Sequence, residues 1–184
     1  MQNPFLMGEQ IYLRALEEAD APHYVRWLND TEVNRTLMAG SFPLNLLKEQ
    51  EYIRKLYTDQ RGLNLAIILK DGDRHIGSTG LHDIQQVHRN ATFGIVIGEK
   101  DCWGRGYGTE AARLMVWHGF HTLNLNRISL NVYDFNVRGI RAYEKAGFQK
   151  EGVLRQAMYA EGTYHDILVM GILREEWEEA RRAG

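Results

Sequence analysis

Between Asp101 and Phe120 the sequence reads DCWGRGYGTEAARLMVWHGF, with glycines at 104, 106 and 108 directly ahead of a run with helical periodicity. A turn with alternate glycines can fold its amide hydrogens inward because no Cβ obstructs the approach. The helix behind it adds free N–H groups and a positive dipole end. That combination is a cradle for phosphate oxygens, although the same residues also read as a glycine-rich loop without a ligand. A nucleoside-triphosphate loop would need Gly-Lys-Ser/Thr, and Gly108 is followed by Thr109 and Glu110. A dinucleotide fingerprint needs GxGxxG in the first strand of a parallel unit; here the spacing is GxGxG and the motif lies past mid-chain.

A second group of residues follows in NVRGIRAYEKAGF. Asn136 and Tyr143 stand about two helical turns apart, on one face with Gly139 and Ile140 between them. A polar residue, a small one and a phenol in line could flank an extended ligand. Equally, Asn136 could cap its helix and Tyr143 could pack its ring.

The elements that must position these residues are readable from patterning. IYLRAL (11–16) alternates as a strand; Asp20 is placed to cap a helix through HYVRWL with Pro22 in its first turn; Thr31 is placed to start a short helix. SFPLN breaks the chain before the periodic run from Leu46 to Tyr57. Three consecutive antiparallel strands are expected in LNLAIILK, RHIGSTGLHDI and ATFGIVIG, the first two joined by an Asp-Gly turn. The glycine turn then leads into a helix of about 15 residues. RISLNVY reads as a strand, Asn136 to Gly147 as a capped helix, and the tail as two strands around Glu161-Gly162 and a charged helix. This is a mixed α/β order (α+β type) with an antiparallel first half, in a single domain spanning 1–184.

Composition removes several classes of function. With 22 basic against 24 acidic residues and a net charge of −2, the chain has no global field for nucleic acid. One cysteine, Cys102, allows no internal disulfide and no Cys-based zinc site, and suits a reducing cytoplasm. The seven histidines show no HExxH-like spacing, so no metal is expected. Neither a signal peptide nor an 18-residue apolar run is present, and no membrane role is expected.

Together, ATFGIVIGEKDCWGRGYGTEAARL and NVYDFNVRGIRAYEKAGFQKEGVLR resemble the GNAT superfamily of acyl-CoA N-acyltransferases, in particular its ribosomal-protein N-terminal acetyltransferase-like branch, near the spermidine N-acetyltransferases. The resemblance implies a mostly antiparallel central sheet of about seven strands with helices on both faces and a splay between strands 4 and 5. It also implies acetyl-CoA as co-substrate. The family's phosphate-binding turn, Gln/Arg-x-x-Gly-x-Gly/Ala, falls on Trp103, Gly104, Arg105, Gly106, Tyr107 and Gly108, and the first position departs from the pattern. Thr109, Asn136, Arg141 and Tyr143 complete the implied cofactor contacts. Backbone groups near Ile95, Val96 and Ile97 are left free by the splay for the pantetheine amides and the acetyl carbonyl.

The implied chemistry is direct transfer. An amine attacks the thioester, an N–H near Val96 or Ile97 holds the oxyanion, and Tyr143 serves the leaving thiolate as general acid. Cys102 has no nucleophilic role in such a scheme. The amine must lose a proton first, more urgently for a polyamine than for a peptide α-amine. Glu99, Asp83 and Asp166 are the candidate bases, with His82, His88 and His165 near strand ends that could face the cleft. Glu99 also reads as part of an ordinary solvated turn.

The acceptor is expected against HYVRWLNDTEVNRTLMAGSF and the late hairpin MYAEGTYHDI, with Trp27, Asn29, Tyr159, Tyr164 and Asp166 as candidate lining. Only Asp30 and Glu32 are obvious acids in the early loop, which leans slightly toward a protein N-terminus or other small amine, with a polyamine or an amino sugar as the alternative acceptor. A non-catalytic CoA-binding sensor is the competing class, and monomer and homodimer both fit.

Overall fold

The computed structural model describes residues 1–37 and 42–183. Its strands are β1 (Leu6–Met7), β2 (Ile11–Ala15), β3 (Leu63–Leu69), β4 (His75–Gln85), β5 (Asn90–Ile97), β6 (Arg127–Tyr133), β7 (Gln149–Ala160) and β8 (Thr163–Leu173). Among the described residues they form one sheet in the order β1-β2-β3-β4-β5-β6-β8-β7. The helices are α1 (Ala21–Leu28), α2 (Thr31–Asn34), α3 (Leu46–Leu56), α4 (Tyr107–His121), α5 (Val137–Lys145) and α6 (Arg174–Ala183). No helix among the described residues is long and apolar enough to cross a membrane.

The period-2 alternation of the strands feeds two cores. Ile11, Leu13, Leu65, Ile67 and Phe93 point to the face covered by α4, where Ala111, Ala112, Met115, Val116 and Phe120 are buried. Tyr12, Ala66 and Ile68 point to the opposite face, covered by Tyr24 and Trp27 of α1 and Ile53 of α3. Helices therefore lie on both faces, as the family resemblance implies.

Every neighbouring pair of strands is antiparallel except β5 and β6. Those two run parallel and pair only through Asn90–Arg127, Ala91–Ile128 and Thr92–Ser129. Beyond Thr92, β5 stays paired to β4 as far as Ile97, and β6 stays paired to β8 as far as Tyr133. The sheet thus opens into a seam along the second half of β5.

Local expectations were met in most places and corrected in three. The sheet has eight strands instead of about seven; the extra one, β1, is two residues long. Asp30, not Thr31, caps α2, accepting from the backbone N–H groups of Glu32 and Val33. Asp20 stands at the N-cap of α1 without a capping hydrogen bond, because Arg14 takes both its carboxylate oxygens at 2.7 and 2.8 Å. The expected break at SFPLN begins at Ser41, outside the described residues, and Asn45 caps the helix that follows.

Candidate active site

The seam opens into a cleft of about 860 Å³. Its floor is the even-numbered face of the central strands, Asn64, Ser78, Gly80, His82, Thr92, Gly94 and Val96. α1 and α3 contribute walls on one side, while Asn131 to Tyr133, Asn136 and Tyr143 line the seam on the other. The cleft therefore joins the expected acyl-CoA elements to the helices expected to shape the acceptor site.

Backbone direction along β5 decides which groups face the seam. The Val96 carbonyl points toward β4, where it would lie 2.1 Å from a Cβ on Gly77. Peptide groups alternate edges along a strand, so those of Ile95 and Ile97 face the seam, and the expectation that Val96 offers its backbone groups there is corrected because β4 takes them. The Ile97 carbonyl already accepts the Trp103 indole N–H at 2.7 Å. That leaves Ile95 with strand-edge groups that β6 no longer pairs, the kind of edge an extended amide ligand can complete.

Trp103 occupies the turn position that departs from the family pattern. Beyond its bond to Ile97, its ring carries the Arg138 guanidinium 3.9 Å above the centroid. With exposed Arg105 and Arg141, Arg138 adds a third cation to the turn and the start of α5, one the sequence reading did not single out. Gly104 (φ 73°) and Gly106 (φ 90°) are left-handed, with no atom within 4 Å of a Cβ added to either. Gly106 is the N-cap of α4, so the turn hands the chain to a helix N-terminus. Open space, bare backbone and flanking arginines fit a pyrophosphate.

Tyr143 lies between aromatic edges, 6.0 Å from Phe93 and 6.1 Å from Phe148 between ring centroids. Packing fixes the ring, and its hydroxyl has no hydrogen-bond partner among the described residues. Burial pushes the phenol up to about 12, so it is fully protonated at neutral pH. Asn136 caps α5, accepting from Gly139 N–H at 3.0 Å, and still lines the cleft.

The base candidates separate by position. Glu99 is not among the cleft-lining residues. Its buried carboxylate accepts from Arg26, from Trp27 Nε1 at 2.8 Å and from Arg74 at 2.6 Å. Burial opposes its ionisation, but these three donors outweigh that and hold it down to about 2, too weak a base for an ammonium proton. Exposed Asp83 and His88, and Asp166 and His165 on the late hairpin, also lie outside the cleft lining. His82 is on the floor, over Gly80 and Gly94, and burial lowers its pKa so that the imidazole is neutral near pH 7.

Acceptor-side expectations divide in the same way. Trp27 is buried against Glu99, and Tyr159 and Tyr164 pack on each other at 5.0 Å in the exposed hairpin. Asn29 clamps Leu44 through both amide atoms at 2.8 and 2.9 Å, and Lys100 engages Asp30 and Glu32. The residues that do line this side include Tyr24, Tyr52 and Glu49. The early segment expected to shape the acceptor site includes residues 38–41, which lie outside the described residues.

These features define an acyl-CoA-dependent transferase, and the comparisons agree. The chain belongs to the GNAT acetyltransferases, whose domain model matches residues 10–149. It is 33% identical to the uncharacterized N-acetyltransferase YoaA of Bacillus subtilis, across 93% of this chain and 97% of that one. It is 31% identical to YdaF of the same organism, provisionally named a ribosomal N-acetyltransferase, across 94% and 96%. The crystal structure of spermidine N-acetyltransferase from Vibrio cholerae, in complex with CoA and spermine, matches with a TM-score of 0.85 at 26% identity, covering 92% of this chain and 98% of that one. The protein is an N-acetyltransferase that moves the acetyl group of acetyl-CoA to a primary amine.

Proposed function

We propose that the amine enters between α1 and α3 and meets the thioester at the seam, where the chain's own groups divide the work. The glycine turn and the N-terminus of α4, with Arg105, Arg138 and Arg141, bind the pyrophosphate. Ile95 completes the strand-like pairing of the pantetheine amides. A seam-facing N–H at Ile95 or Ile97 stabilises the oxyanion, an effect worth about 3–4 kcal/mol in comparable sites.

Tyr143 meets the leaving sulfur. With the phenol near 12 and a thiol near 8.5, complete proton transfer is uphill by about 5 kcal/mol. Tyr143 therefore acts chiefly by donating a hydrogen bond to the thiolate. His82 is the neutral base on the cleft floor and takes the ammonium proton directly or through water.

The observation that carries this reading is the shared position of the Tyr143 phenol, free of partners among the described residues, and the unpaired edge of β5 on one seam. It favours the enzyme over a CoA sensor, which could dispense with the acid. A peptide N-terminus or other small amine remains the acceptor class, in a cytoplasmic enzyme that is a monomer or a homodimer. The test is release of CoA thiol from acetyl-CoA with peptides, polyamines, amino sugars and amino acids in turn. Acceptor-dependent release is expected, and acetyl-CoA binding without release for any amine would favour the sensor.

A further inference from the structure

α3 places a carboxylate where its own periodicity calls for a hydrocarbon. Glu49 stands one helical turn before Ile53 and two before Leu56, on the face that packs toward the sheet. It is only 3% exposed, yet its carboxylate has no hydrogen bond or ion pair among the described residues; its backbone N–H donates to the Asn45 carbonyl at 3.1 Å. Buried charges are ordinarily paired, because leaving water without a partner destabilises the fold. Glu49 is not sealed in the core, however: it lines the cleft beside Tyr24, Tyr52 and Ser78. Desolvation raises its pKa, as expected for a carboxyl without a counter-charge.

Its surroundings limit what can supply that charge. Among the described residues that line the cleft, Glu49 is the only acid. Asp30 and Glu32, the other acids near this side, are held by Lys100. The remaining wall is largely hydrocarbon, including Leu16, Leu28, Leu37, Leu44 and Leu56; Lys48, the cation that also lines the cleft, is exposed and makes no ion pair with Glu49 among the described residues. One buried anion in an apolar wall matches one cation on an apolar body.

We propose that Glu49 receives the ammonium of the acceptor, and that the acceptor is a monoamine with an apolar substituent next to its nitrogen, such as a peptide N-terminus with an apolar first side chain. This inference rests on the acetyltransferase reading and specifies its substrate. The ammonium is the prevailing form of an amine at neutral pH, so Glu49 admits the abundant species while His82 remains the acceptor for its proton. A triamine would bring further cations against the leucine wall, where no described carboxylate answers them.

The experiment compares wild type with Glu49→Gln and Glu49→Asp, using peptides with an N-terminal Leu, Phe, Gly or Asp and spermidine as acceptors. Wild type should favour Leu and Phe peptides over spermidine by at least about tenfold in kcat/KM. Glu49→Gln should raise the acceptor KM about 10- to 100-fold, with acetyl-CoA affinity unchanged within about twofold, and Glu49→Asp should recover part of the loss. Thermal melting keeps the result readable: removing an unpaired buried charge should leave Tm unchanged or raised. A Glu49→Gln variant with unchanged acceptor KM, whatever its Tm, would overturn the proposal. Spermidine outpacing every peptide would overturn it too, while leaving the acetyltransferase assignment intact. No transfer to any amine by wild type would overturn both.

Discussion

The Trp103 indole donates to the Ile97 carbonyl at 2.7 Å, tying the glycine turn to the strand that borders the seam. The bond closes the last carbonyl of β5 on the seam side, so the unpaired edge ends there. It also holds the ring under Arg138. Trp103→Phe keeps an aromatic face for the guanidinium and removes the donor, leaving a partly buried carbonyl unpaired. A net hydrogen bond is worth about 1 kcal/mol, so acetyl-CoA affinity should weaken about fivefold, measured by calorimetry, with little change in acceptor KM.

Gly104 and Gly106 should be sensitive for a backbone reason. Both have positive φ, where a Cβ costs about 1–2 kcal/mol, and neither has a neighbour for the added methyl to strike. Strain and obstruction of the phosphate approach are therefore the expected effects of Gly106→Ala, not a clash in the core. Acetyl-CoA KM should rise about tenfold or more while Tm falls by only a few degrees. A large loss of Tm with unchanged KM would mark the turn as structural only.

Glu99 should behave as a stabilising group. Its folded pKa of about 2 lies below its ordinary value of 4.5, so the folded state binds its proton less readily than the unfolded state. The stabilisation is complete above about pH 5 and is lost as pH falls toward 2. Because Arg26 and Arg74 are half-exposed, Glu99→Gln should cost about 1–3 kcal/mol at pH 7. Urea titrations should show that gap narrowing as the pH drops, while kcat at pH 7 stays within about twofold. A folded Glu99→Gln enzyme with kcat reduced a hundredfold would return Glu99 to the catalytic step.

What the sequence disclosed follows from the range of each interaction. The turn at Gly104 and Gly106, the Asp71-Gly72 hairpin and the cap at Asn136 are set by neighbouring residues and were legible. The splay was legible only through the family resemblance, since no local pattern shows that β6 stops pairing with β5 after Ser129. Asp20 was misassigned as a helix cap because Arg14 claims it from the adjoining strand. Glu99 looked like a base or a solvated turn residue because the partners that claim it, Arg26, Trp27 and Arg74, come from α1 and from the turn just before β4. β1 is too short to display an alternation. Glu49 carried one signal, its helical register with Ile53 and Leu56, whose meaning depends on the sheet opposite.

The proposed transfer depends on Tyr143 donating a hydrogen bond to the leaving thiolate. With its phenol near 12, the wild-type kcat profile should climb as the acceptor amine deprotonates and then stay level, without a descending limb below about pH 11. The most direct measurement is the kcat of Tyr143→Phe against wild type with the best acceptor, alongside acetyl-CoA affinity. A fall in kcat of about 10²- to 10⁴-fold is expected, in the range typical of a positioned acid, with acetyl-CoA affinity unchanged within about threefold. An unchanged kcat would contradict it and remove Tyr143 from the mechanism.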